Sequence, residues 1–367
     1  MQSVVYIYTR TGTTPIYQLF DPMNLSISRK LSEISTAQFD ITVFDEVGKL
    51  SWVLVDPTYI VEKNRIKIGV IHNGIETIEF DGYITSISDT PMSTHIICSD
   101  LLHLLDERMI LIDTTVSGVL GGSVASILST INTLENTGIT VATSSLTQTY
   151  AKTYTAFTKV IDIIKDLADQ GGGNQIFFYV QGGVLYFDSV IGSDLSATVE
   201  FNYEYRDSYY RSIETFSFES DIKAVENAVY TKNTSNVVSS ASDSASIAQY
   251  GRIENGISLG TGTTPAIEVA NALAKTKDIT RTISITPTTT SYSLANPGDI
   301  VRVYIDRGDI RGQYNGTMRV TGKEYVAGDI PQIQYTLSNS QVKSLTILDK
   351  IGEMNSYIER IKIGTIS

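Results

Sequence analysis

The sequence predicts an α+β fold that is predominantly β. It comprises two similar small β-barrel domains, an α+β insert domain between them, a helix-containing insert and a C-terminal helix. Short strands bounded by turn residues occupy the start of the chain, and after Leu101 the hydrophobic period lengthens to that of helices. The predicted strand IEFDGYITSIS, residues 78–88, also has an echo in QYNGTMRVTGK, residues 313–323. These observations indicate a duplicated β-domain with other material between the copies.

Composition limits the class of protein. The chain has 367 residues, enough for two to four domains, and 42% of them are hydrophobic. No run of eighteen apolar residues is present, so no membrane-spanning helix is predicted, and MQSVVYIYTR lacks the features of a secretory signal. The single Cys98 excludes an internal disulfide and fits synthesis in a reducing compartment.

The charge balance argues against a protein that grips nucleic acid. The sequence carries 40 acidic and 28 basic residues, a net charge of −12, and has no basic cluster. Because affinity for DNA depends mainly on lysine and arginine neutralising phosphates, tight DNA binding is not expected. An acidic surface favours solubility, and it also suits a conduit along which DNA slides without sticking.

The first β-barrel is predicted over residues 1–106. AQFDITVF alternates apolar and polar residues, as in a half-buried strand. The strands RIKIGVI and IETIEFDGYITSIS flank Asn73-Gly74, a pair that supplies the positive φ angles of a tight hairpin. Six or more short strands without a long helix favour a small barrel or sandwich.

An α+β domain is predicted over residues 107–206. SVASILSTINTL and AFTKVIDIIKDLADQ each place their apolar residues on one helical face. IFFYVQGGVLYFDS is typical of a hairpin that turns at Gly182-Gly183. The sequence therefore indicates two helices packed against short strands.

The second β-barrel is predicted to be discontinuous, over residues 207–235 and 280–342. A loop and a helix, residues 236–279, interrupt it, and Pro265 occupies the first turn of that helix. Gly298-Asp299 is expected to turn the chain into a strand of the second barrel.

A constant offset overlays the two β-domains. It places Gly74 on Gly308 and Gly82 on Gly316 without a gap. We therefore expect these four glycines to shape equivalent hairpin turns and strand entries in the two barrels.

The C-terminal helix, residues 343–367, carries a possible trimer seam. The seam residues are spaced alternately four and three apart: Ile347, Ile351, Met354, Ile358 and Ile361. This is a heptad pattern, and isoleucine at both core positions favours three or more strands over two. A helix packed on its own chain is the alternative interpretation.

Three consecutive segments resemble the baseplate-hub family of bacteriophage tails. They are SIAQYGRIENGI, the helix AIEVANALAKTK and ISITPTTTSYSLANPGDIVRV. The residues that match the family pattern are Ser246, Ile247, Tyr250, Gly251, Arg252, Pro297, Gly298, Asp299 and Val301. AQFDITVFD and FDGYITSIS are likewise similar to the first hub barrel, so the resemblance in order covers nearly the whole chain.

This resemblance implies a structural protein of a virion tail, made in the cytoplasm of a host bacterium. The family forms a homotrimer whose paired barrels make a ring of pseudo-six-fold symmetry at the tail tip. The ring joins the tail tube or distal tail ring to a central spike or fibre, and the tape-measure protein and then DNA pass through its lumen. Related hubs occur in contractile injection systems and bacteriocins. The chain stops at Ser367 without a peptidase or glycosidase module, which argues against a lytic role.

No catalytic, cofactor or metal site is predicted. His95, Cys98 and His103 are close in sequence, but a structural zinc site needs four ligands, so ordinary packing is expected. Gly-x-Ser-x-Gly and His-Glu-x-x-His motifs are absent. A tail-associated peptidoglycan hydrolase that acts through the α+β domain remains the enzymatic alternative.

Two further motifs permit an adhesin. Tyrosines that could stack on sugar rings lie in FNYEYRDSYY: Tyr203, Tyr205, Tyr209 and Tyr210. Alternating tyrosines are also common on half-buried strands, so a host carbohydrate-binding adhesin is a second alternative. Arg307-Gly308-Asp309 spells an adhesion tripeptide, although its glycine also fits a hairpin turn.

Overall fold

The computed structural model describes residues 2–43, 51–56, 58–72, 74–133, 137–170, 176–189, 191–204, 212–222, 225–232, 238–257, 265–288, 295–307, 313–328 and 331–339. Strands predominate among these residues and helices are few, which confirms the predominantly β class. Gly308 and the proposed seam from Ile347 to Ile361 lie outside the described residues.

The N-terminal part consists of antiparallel strands and one short helix. In chain order these are β1 (Gln2–Tyr8), β2 (Tyr17–Phe20), β3 (Met23–Lys30), β4 (Thr36–Thr42), α1 (Trp52–Val55), β5 (Arg65–His72), β6 (Ile75–Asp89) and β7 (Ser93–Asp100). Their order in the sheet is β2-β1-β5-β6-β7-β4-β3. The tight hairpin predicted between β5 and β6 is present, and Gly74 in its turn has φ +78°.

The middle part contains two amphipathic helices and small sheets. Its elements are α2 (His103–Asp106), β8 (Thr114–Val119), α3 (Leu120–Asn132), β9 (Thr140–Val141), β10 (Thr149–Tyr154), α4 (Val160–Asp169), β11 (Phe177–Gln181) and β12 (Val184–Asp188). Both α3 and α4 form where the helical period predicts them and bury their apolar faces in a core separate from that of the large sheet. β11 and β12 form the predicted hairpin, and Gly182 and Gly183 turn it at φ +59° and +82°.

The C-terminal part returns to the large sheet. Its elements are β13 (Glu200–Glu204), β14 (Ile213–Asp221), β15 (Ala228–Lys232), β16 (Val238–Ser242), α5 (Ser244–Tyr250), β17 (Glu254–Ile257), α6 (Pro265–Thr276), β18 (Thr280–Pro287), β19 (Ile300–Asp306), β20 (Gln313–Val326) and β21 (Gln332–Ser338). β14, β18, β21, β20, β19 and β13 lie side by side in that order.

One predicted strand lies in a different sheet. The sequence places β15 in the second barrel, whereas in the structure it pairs with β16 and β17. Asn227, which is fully buried, explains this placement: its amide donates to the Gly251 carbonyl at 2.7 Å and accepts from the Ile253 amide at 2.7 Å. These bonds tie the start of β15 to the segment after α5, so β15 belongs with the insert.

The large sheet contains two copies of one five-stranded arrangement. We call β3 to β7 the first module, and β14 together with β18 to β21 the second module. The first module has the spatial order β3-β4-β7-β6-β5, and the second has the order β14-β18-β21-β20-β19. Chain order matches as well, and every neighbouring pair within each module is antiparallel. Among the described residues the sheet is an open path from β14 to β2, so closure into two barrels stays a prediction.

A β-bulge fixes the residue correspondence between the modules. Thr85 is the extra residue at a bulge in β6, where that strand pairs with β7. Thr321 is the extra residue at a bulge in β20, where that strand pairs with β21. Each threonine hydroxyl donates across the bulge at 3.2 Å, Thr85 to the Ile97 carbonyl and Thr321 to the Thr336 carbonyl. Thr85 and Thr321 are therefore structural equivalents.

The ends of β7 and β21 repeat a second detail. The Asp100 carboxylate accepts the backbone N–H of Ser35 at 2.8 Å, and the Asn339 side-chain oxygen accepts the backbone N–H of Arg281 at 2.7 Å. Asp100 and Asn339 also donate their own backbone N–H groups, to the carbonyls of Ser35 and Arg281 respectively. The duplication thus extends from strand order to individual hydrogen bonds.

The gapless overlay of the glycines is wrong in register. Gly82 lies opposite Ile66, whereas Gly316 lies opposite Val303 rather than Ile300, to which the constant offset assigns it. The reason is the connection between the hairpin strands. β5 and β6 are joined by a two-residue turn that ends at Gly74, whereas β19 ends at Asp306 and β20 begins only at Gln313. The repeat is real in topology, but the glycines that indicated it are not equivalent.

Candidate assembly interface

The two modules meet edge to edge through a pair of strands. Ser26–Lys30 of β3 pairs antiparallel with Val326–Gly322 of β20. At the centre of this ladder Ile27 lies opposite Tyr325, and the two side chains are only 1% and 3% exposed. One hydrophobic core continues beneath both modules. We refer to this β3–β20 contact as the internal junction.

A buried ion cluster crosses the internal junction. Glu79 is the extra residue at a β-bulge in the part of β6 that pairs with β5. The bulge takes its side chain out of the regular inward–outward alternation of the strand. Its carboxylate accepts from the Lys323 ammonium at 2.9 Å and from the Arg29 guanidinium at 2.8 Å. The side chains of Glu79 and Lys323 are 2% and 1% exposed. A charge from the first module is thus enclosed against a charge from the second.

Electrostatics favour the ionised form of this cluster. Burial opposes ionisation of Glu79, but the nearby charges of Lys323 and Arg29 outweigh it, so the pKa of that carboxyl lies below its usual range. Burial lowers the pKa of Lys323, and Glu79 opposes that change. Burial also raises the pKa of Tyr325 beside the cluster to about 12. Because an unpaired buried charge is costly, the cluster disfavours any separation of the two modules that leaves one of these charges buried without its partner.

The α+β part is fastened to the same region. The Ser32 amide donates to the Phe178 carbonyl at 2.9 Å, and the Phe178 amide donates back to the Ser32 hydroxyl at 3.2 Å. Leu31, Phe177 and Ile191 form a small buried cluster beside these bonds. The middle of the chain therefore contacts the first module directly after β3.

Gly298-Asp299 lies at the start of β19. Gly298 has φ +105°, a conformation that favours glycine, and Ile191 and Gly192 pack against its backbone. The Asp299 carboxylate accepts from the amides of Ser193 and Asn296, each at 2.8 Å. The turn therefore both redirects the chain and anchors the segment that precedes β13.

The other predicted glycines have different surroundings. Gly74 has open space where a Cβ would stand. At Gly82 a Cβ would clash with the Ser99 carbonyl oxygen and would lie 2.8 Å from the Asp100 Cα. At Gly316 the nearest atom is the Tyr314 hydroxyl, 2.9 Å away at the end of a side chain. Gly82 is thus needed for close strand packing, while Gly74 serves its turn.

The three residues weighed as zinc ligands have other partners. The His95 imidazole contacts the Asp40 carboxylate at 2.5 Å, and the His103 imidazole lies 3.2 Å from the Glu107 carboxylate. Cys98 is buried in the core, and burial raises the pKa of its thiol. In the described part of the chain no group of three potential ligands could hold a metal ion.

The motifs weighed for an adhesin fall partly outside the described residues. Tyr203 packs edge-on against Phe216 with ring centres 4.8 Å apart, while Tyr205, Tyr209, Tyr210 and Gly308-Asp309 are among the residues not described. Within the described ranges, no helix is both long and apolar enough to cross a bilayer.

Sequence reasoning missed the ion cluster at the internal junction. One signal was available, because Lys323 occupies an inward position in the alternation of Thr321, Lys323 and Tyr325, all of which are buried. A lysine at such a position needs a buried anion as partner. The identity of that anion, Glu79, could not be read because a bulge displaces it from its strand's alternation.

Comparison with known proteins gives no family assignment from sequence. No family model matches the chain, and no curated protein matches it. Solved structures, in contrast, match over nearly its full length.

Three of these structures define the fold. Prophage tail protein gp18 from Listeria monocytogenes EGD-e matches with a TM-score of 0.62 at 12% identity, covering 97% of this chain and 99% of that one. A tail protein from Neisseria meningitidis MC58 matches with a TM-score of 0.63 at 14% identity, covering 92% and 96%. An Escherichia coli component of the type VI secretion system, described as similar to the T4 tail proteins gp27 and gp5, matches with a TM-score of 0.52 at 12% identity, covering 93% and 77%. The chain therefore has the fold shared by these tail proteins and this secretion-system component.

Proposed function

We propose that this chain is the structural hub of a phage-like tail tip, in which three copies form a ring of pseudo-six-fold symmetry. The observation that carries the proposal is the duplication of a five-stranded module within one chain, joined edge to edge at the internal junction. Three chains then present six similar modules. Such a ring docks onto a six-fold tail tube or distal tail ring while keeping three-fold symmetry for a central spike or fibre.

The lumen of the ring would conduct the tape-measure protein and then DNA. The net charge of −12 is compatible with this role, because an acidic protein does not hold the phosphate backbone tightly. The spike as a partner rests on the E. coli relative of the fold, which is described as similar to both gp27 and gp5. The place of action is the virion tail.

The finer assignments of the sequence belong to this proposal. Each module would close into a small barrel, the first within residues 1–106 and the second within 207–235 and 280–342, although β15 pairs with the insert. The helix of residues 343–367 would join three chains along its isoleucine seam. A chain truncated after Val342 tests the seam, since an unchanged oligomeric state would remove the helix from ring assembly.

We also propose that the chain acts without catalysis. Its fold neighbours are described as tail proteins; Cys98 is packed in the core, and His95 and His103 each contact a carboxylate. A zymogram with purified chain on peptidoglycan is expected to show no cleared band. A reproducible band would favour the hydrolase alternative.

The ring itself is tested by mass and shape. Native mass spectrometry of the full chain at rising concentration, alone and with the tail-tube protein of the same particle, is expected to show a species of three times 40.2 kDa. Electron micrographs of that species should show six similar lobes around a channel. A chain that stays monomeric with and without the tube protein, or a ring with another copy number, would contradict the hub.

A further inference from the structure

Several strand edges in the large sheet lack a paired strand within the described residues, and the duplication relates two of them to the internal junction. One is the outer edge of β14, which pairs only with β18. The other is the second half of β6, residues 86–89, which pairs with β7 on one side while β5 ends beside Tyr83. Unpaired backbone groups at a strand edge are a template for another strand.

The internal junction shows what such an edge accepts. In the second module, the half of β20 that follows the Thr321 bulge pairs with β21 on one side and with β3 on the other. In the first module, the half of β6 that follows the equivalent Thr85 bulge pairs with β7 alone. β3 is the end strand of the first module, and its counterpart at the end of the second module is β14.

We infer that β14 of one copy pairs antiparallel with residues 86–89 of β6 in the next copy, repeating the internal junction between subunits. The contact is heterologous, because the two edges differ, and a heterologous contact closes into a ring when its rotation permits. This inference rests on the proposed ring and names the surface that would hold it together.

The duplication also fixes the register. Ser28 faces Glu324 in the internal junction. The bulges make Ser88 the counterpart of Glu324, because both lie three residues after the extra threonine. Glu219 is the counterpart of Ser28. Ser28 lies opposite Thr36, which lies opposite Ser99 of β7. In the same way Glu219 lies opposite Thr282, which lies opposite Ser338 of β21. Ser88 should therefore face Glu219 of the next copy, and Asp89 should face Phe218 of the next copy.

Burial supports an occupant for these edges. Phe218 is 41% exposed, whereas Ile27, its counterpart in the internal junction, is 1% exposed. Ile87 is partly buried and already packs against the core beneath the two modules. In the proposed contact Phe218 lies diagonally beside Ile87 on the core-facing side of the sheet, a distance that aromatic side chains can span. Pairing would thus remove an exposed aromatic ring from water.

A second copy fits better than the chain's own strands. β14 and β6 are separated by seven strand-to-strand steps in the described sheet, and no strand pairing joins them within one copy of it. The complementary edge is, however, present on every other copy. The same pairing repeated three times would give one continuous sheet around the ring.

Cysteine pairs test the register directly. The full chain with Ser88→Cys and Glu219→Cys is assembled and mildly oxidised. Residues directly opposite in an antiparallel ladder have Cα atoms about 4.5–5.5 Å apart, within the range that a disulfide spans. We expect covalent dimers and closed trimers on a non-reducing gel. Cys98 does not compete because it is buried.

The matched control moves one cysteine out of register. Ser88→Cys with Thr215→Cys places the second thiol four residues further along β14, about 13 Å away, and should yield less than a tenth of the cross-linked product. Equal yields from both pairs, or no product from the first pair, overturn the inference. A three-copy ring without the Ser88–Glu219 product overturns the pairing and leaves the hub intact, whereas absence of any ring contradicts the hub as well.

A second variant separates assembly from folding. Phe218→Asp is expected to weaken trimer formation at least tenfold and to lower the melting temperature of the monomer only slightly, because the Phe218 side chain is 41% exposed in the single chain, where its ring centre lies 6.2 Å from that of Tyr314. Val238→Asp, an exposed apolar residue on β16 of the insert, should leave trimer formation unchanged. Hydrogen exchange tests the remaining alternative, in which another part of the same chain covers the β14 edge. Slow exchange, in the monomer, of the β14 amides that point away from β18 would show that another part of the same chain covers this edge, and that result also overturns the inference.

Discussion

The two β-modules share strand order, bulge and strand-end hydrogen bonds, yet they differ at the edge where a neighbouring strand docks. In the second module this edge carries the buried Lys323, which pairs with Glu79 of the first module. In the first module the equivalent position is Ile87, a partly buried apolar residue. A duplicated frame therefore presents one ionic edge and one apolar edge.

The difference corresponds to two kinds of contact. An edge that is covered as soon as the chain folds can enclose a charged pair, since the partner charge is always present. An edge that is exposed to water before assembly and covered afterwards is better served by an apolar residue, because covering it leaves no buried charge without a partner. The modules also differ at their other side, where β1 is antiparallel to β5 but β13 is parallel to β19. The inner strands keep the duplicated frame, and the flanking strands vary.

The largest expected effect comes from converting the ionic edge into the apolar one. Lys323→Ile leaves the Glu79 carboxylate buried with Arg29 as its remaining cationic partner, so the free energy of unfolding should fall by about 3–5 kcal/mol. Urea unfolding followed by circular dichroism measures this change. Combining Lys323→Ile with Glu79→Gln should restore a large part of the loss, because no buried charge then lacks its partner.

Lys30→Ala is the matched control for this variant. Lys30 lies at the end of β3 and pairs with Glu33, and both side chains are substantially exposed. An exposed ion pair of this kind contributes about 0–1 kcal/mol, so the control should be nearly neutral. Similar losses from Lys323→Ile and Lys30→Ala would mean that the junction is not held by its buried charges.

The next effect distinguishes the two strand-end residues. Burial raises the pKa of Asp100 to about 7 from 3.8, although the amides of Ser35 and Leu102 oppose the shift. The folded state therefore keeps a proton that the unfolded chain releases, and this contribution to stability, complete below pH 3.8, is lost as pH rises toward 7. Asp100→Asn, which copies Asn339 of the second module, should gain stability relative to the wild type as pH rises through that window.

Thermal unfolding from pH 4 to pH 8 measures this difference. A constant offset between the two proteins is also expected, because the Leu102 amide now bonds to Asp100 at 3.0 Å and one side of an asparagine cannot accept it. Asn339→Asp is the reciprocal change at an exposed site and should alter the pH profile little. Parallel profiles for wild type and Asp100→Asn would contradict the raised pKa.

The third effect separates two glycines that the sequence treats as equivalent. In Gly82→Ala the new Cβ meets the backbone of β7, which cannot rotate away, so a loss of about 1–3 kcal/mol is expected. In Gly316→Ala it meets only the end of the Tyr314 side chain, and the change should stay within about 0.5 kcal/mol. Urea unfolding of the two variants gives the comparison, and equal losses would contradict the difference in the surroundings of the two glycines.

Sequence alone predicted the class of fold, because alternation and turn residues are local features. It also indicated a repeat, but through glycines that are not equivalent in the structure. Both amphipathic helices and the Gly74 and Gly182-Gly183 hairpins are present where their local patterns place them. The true register was not local. It depends on a longer β19–β20 connection and on bulges at Thr85 and Thr321, which no periodicity reveals.

The candidate interface was even less accessible from sequence. The internal junction joins β3 to β20 and Glu79 to Lys323, pairs that are far apart along the chain. Nothing near Glu79 distinguishes it from a solvent-exposed glutamate. Its burial follows from the fold as a whole, so only the structure could identify it.

The smallest effect tests whether the repeated bulge is equivalent in energy as well as in geometry. Thr85→Val and Thr321→Val each remove one hydroxyl that donates to a carbonyl at 3.2 Å while keeping the shape of the side chain. Each should lower the free energy of unfolding by about 1 kcal/mol, and the two losses should add because the sites share no partner. Thr90→Val, at an exposed turn, serves as the control for loss of a threonine hydroxyl outside the bulges. If one bulge threonine costs about 1 kcal/mol and the other nothing, the modules share a topology without sharing the interactions that stabilise it, and β20 would then be a poor guide to what β6 accepts.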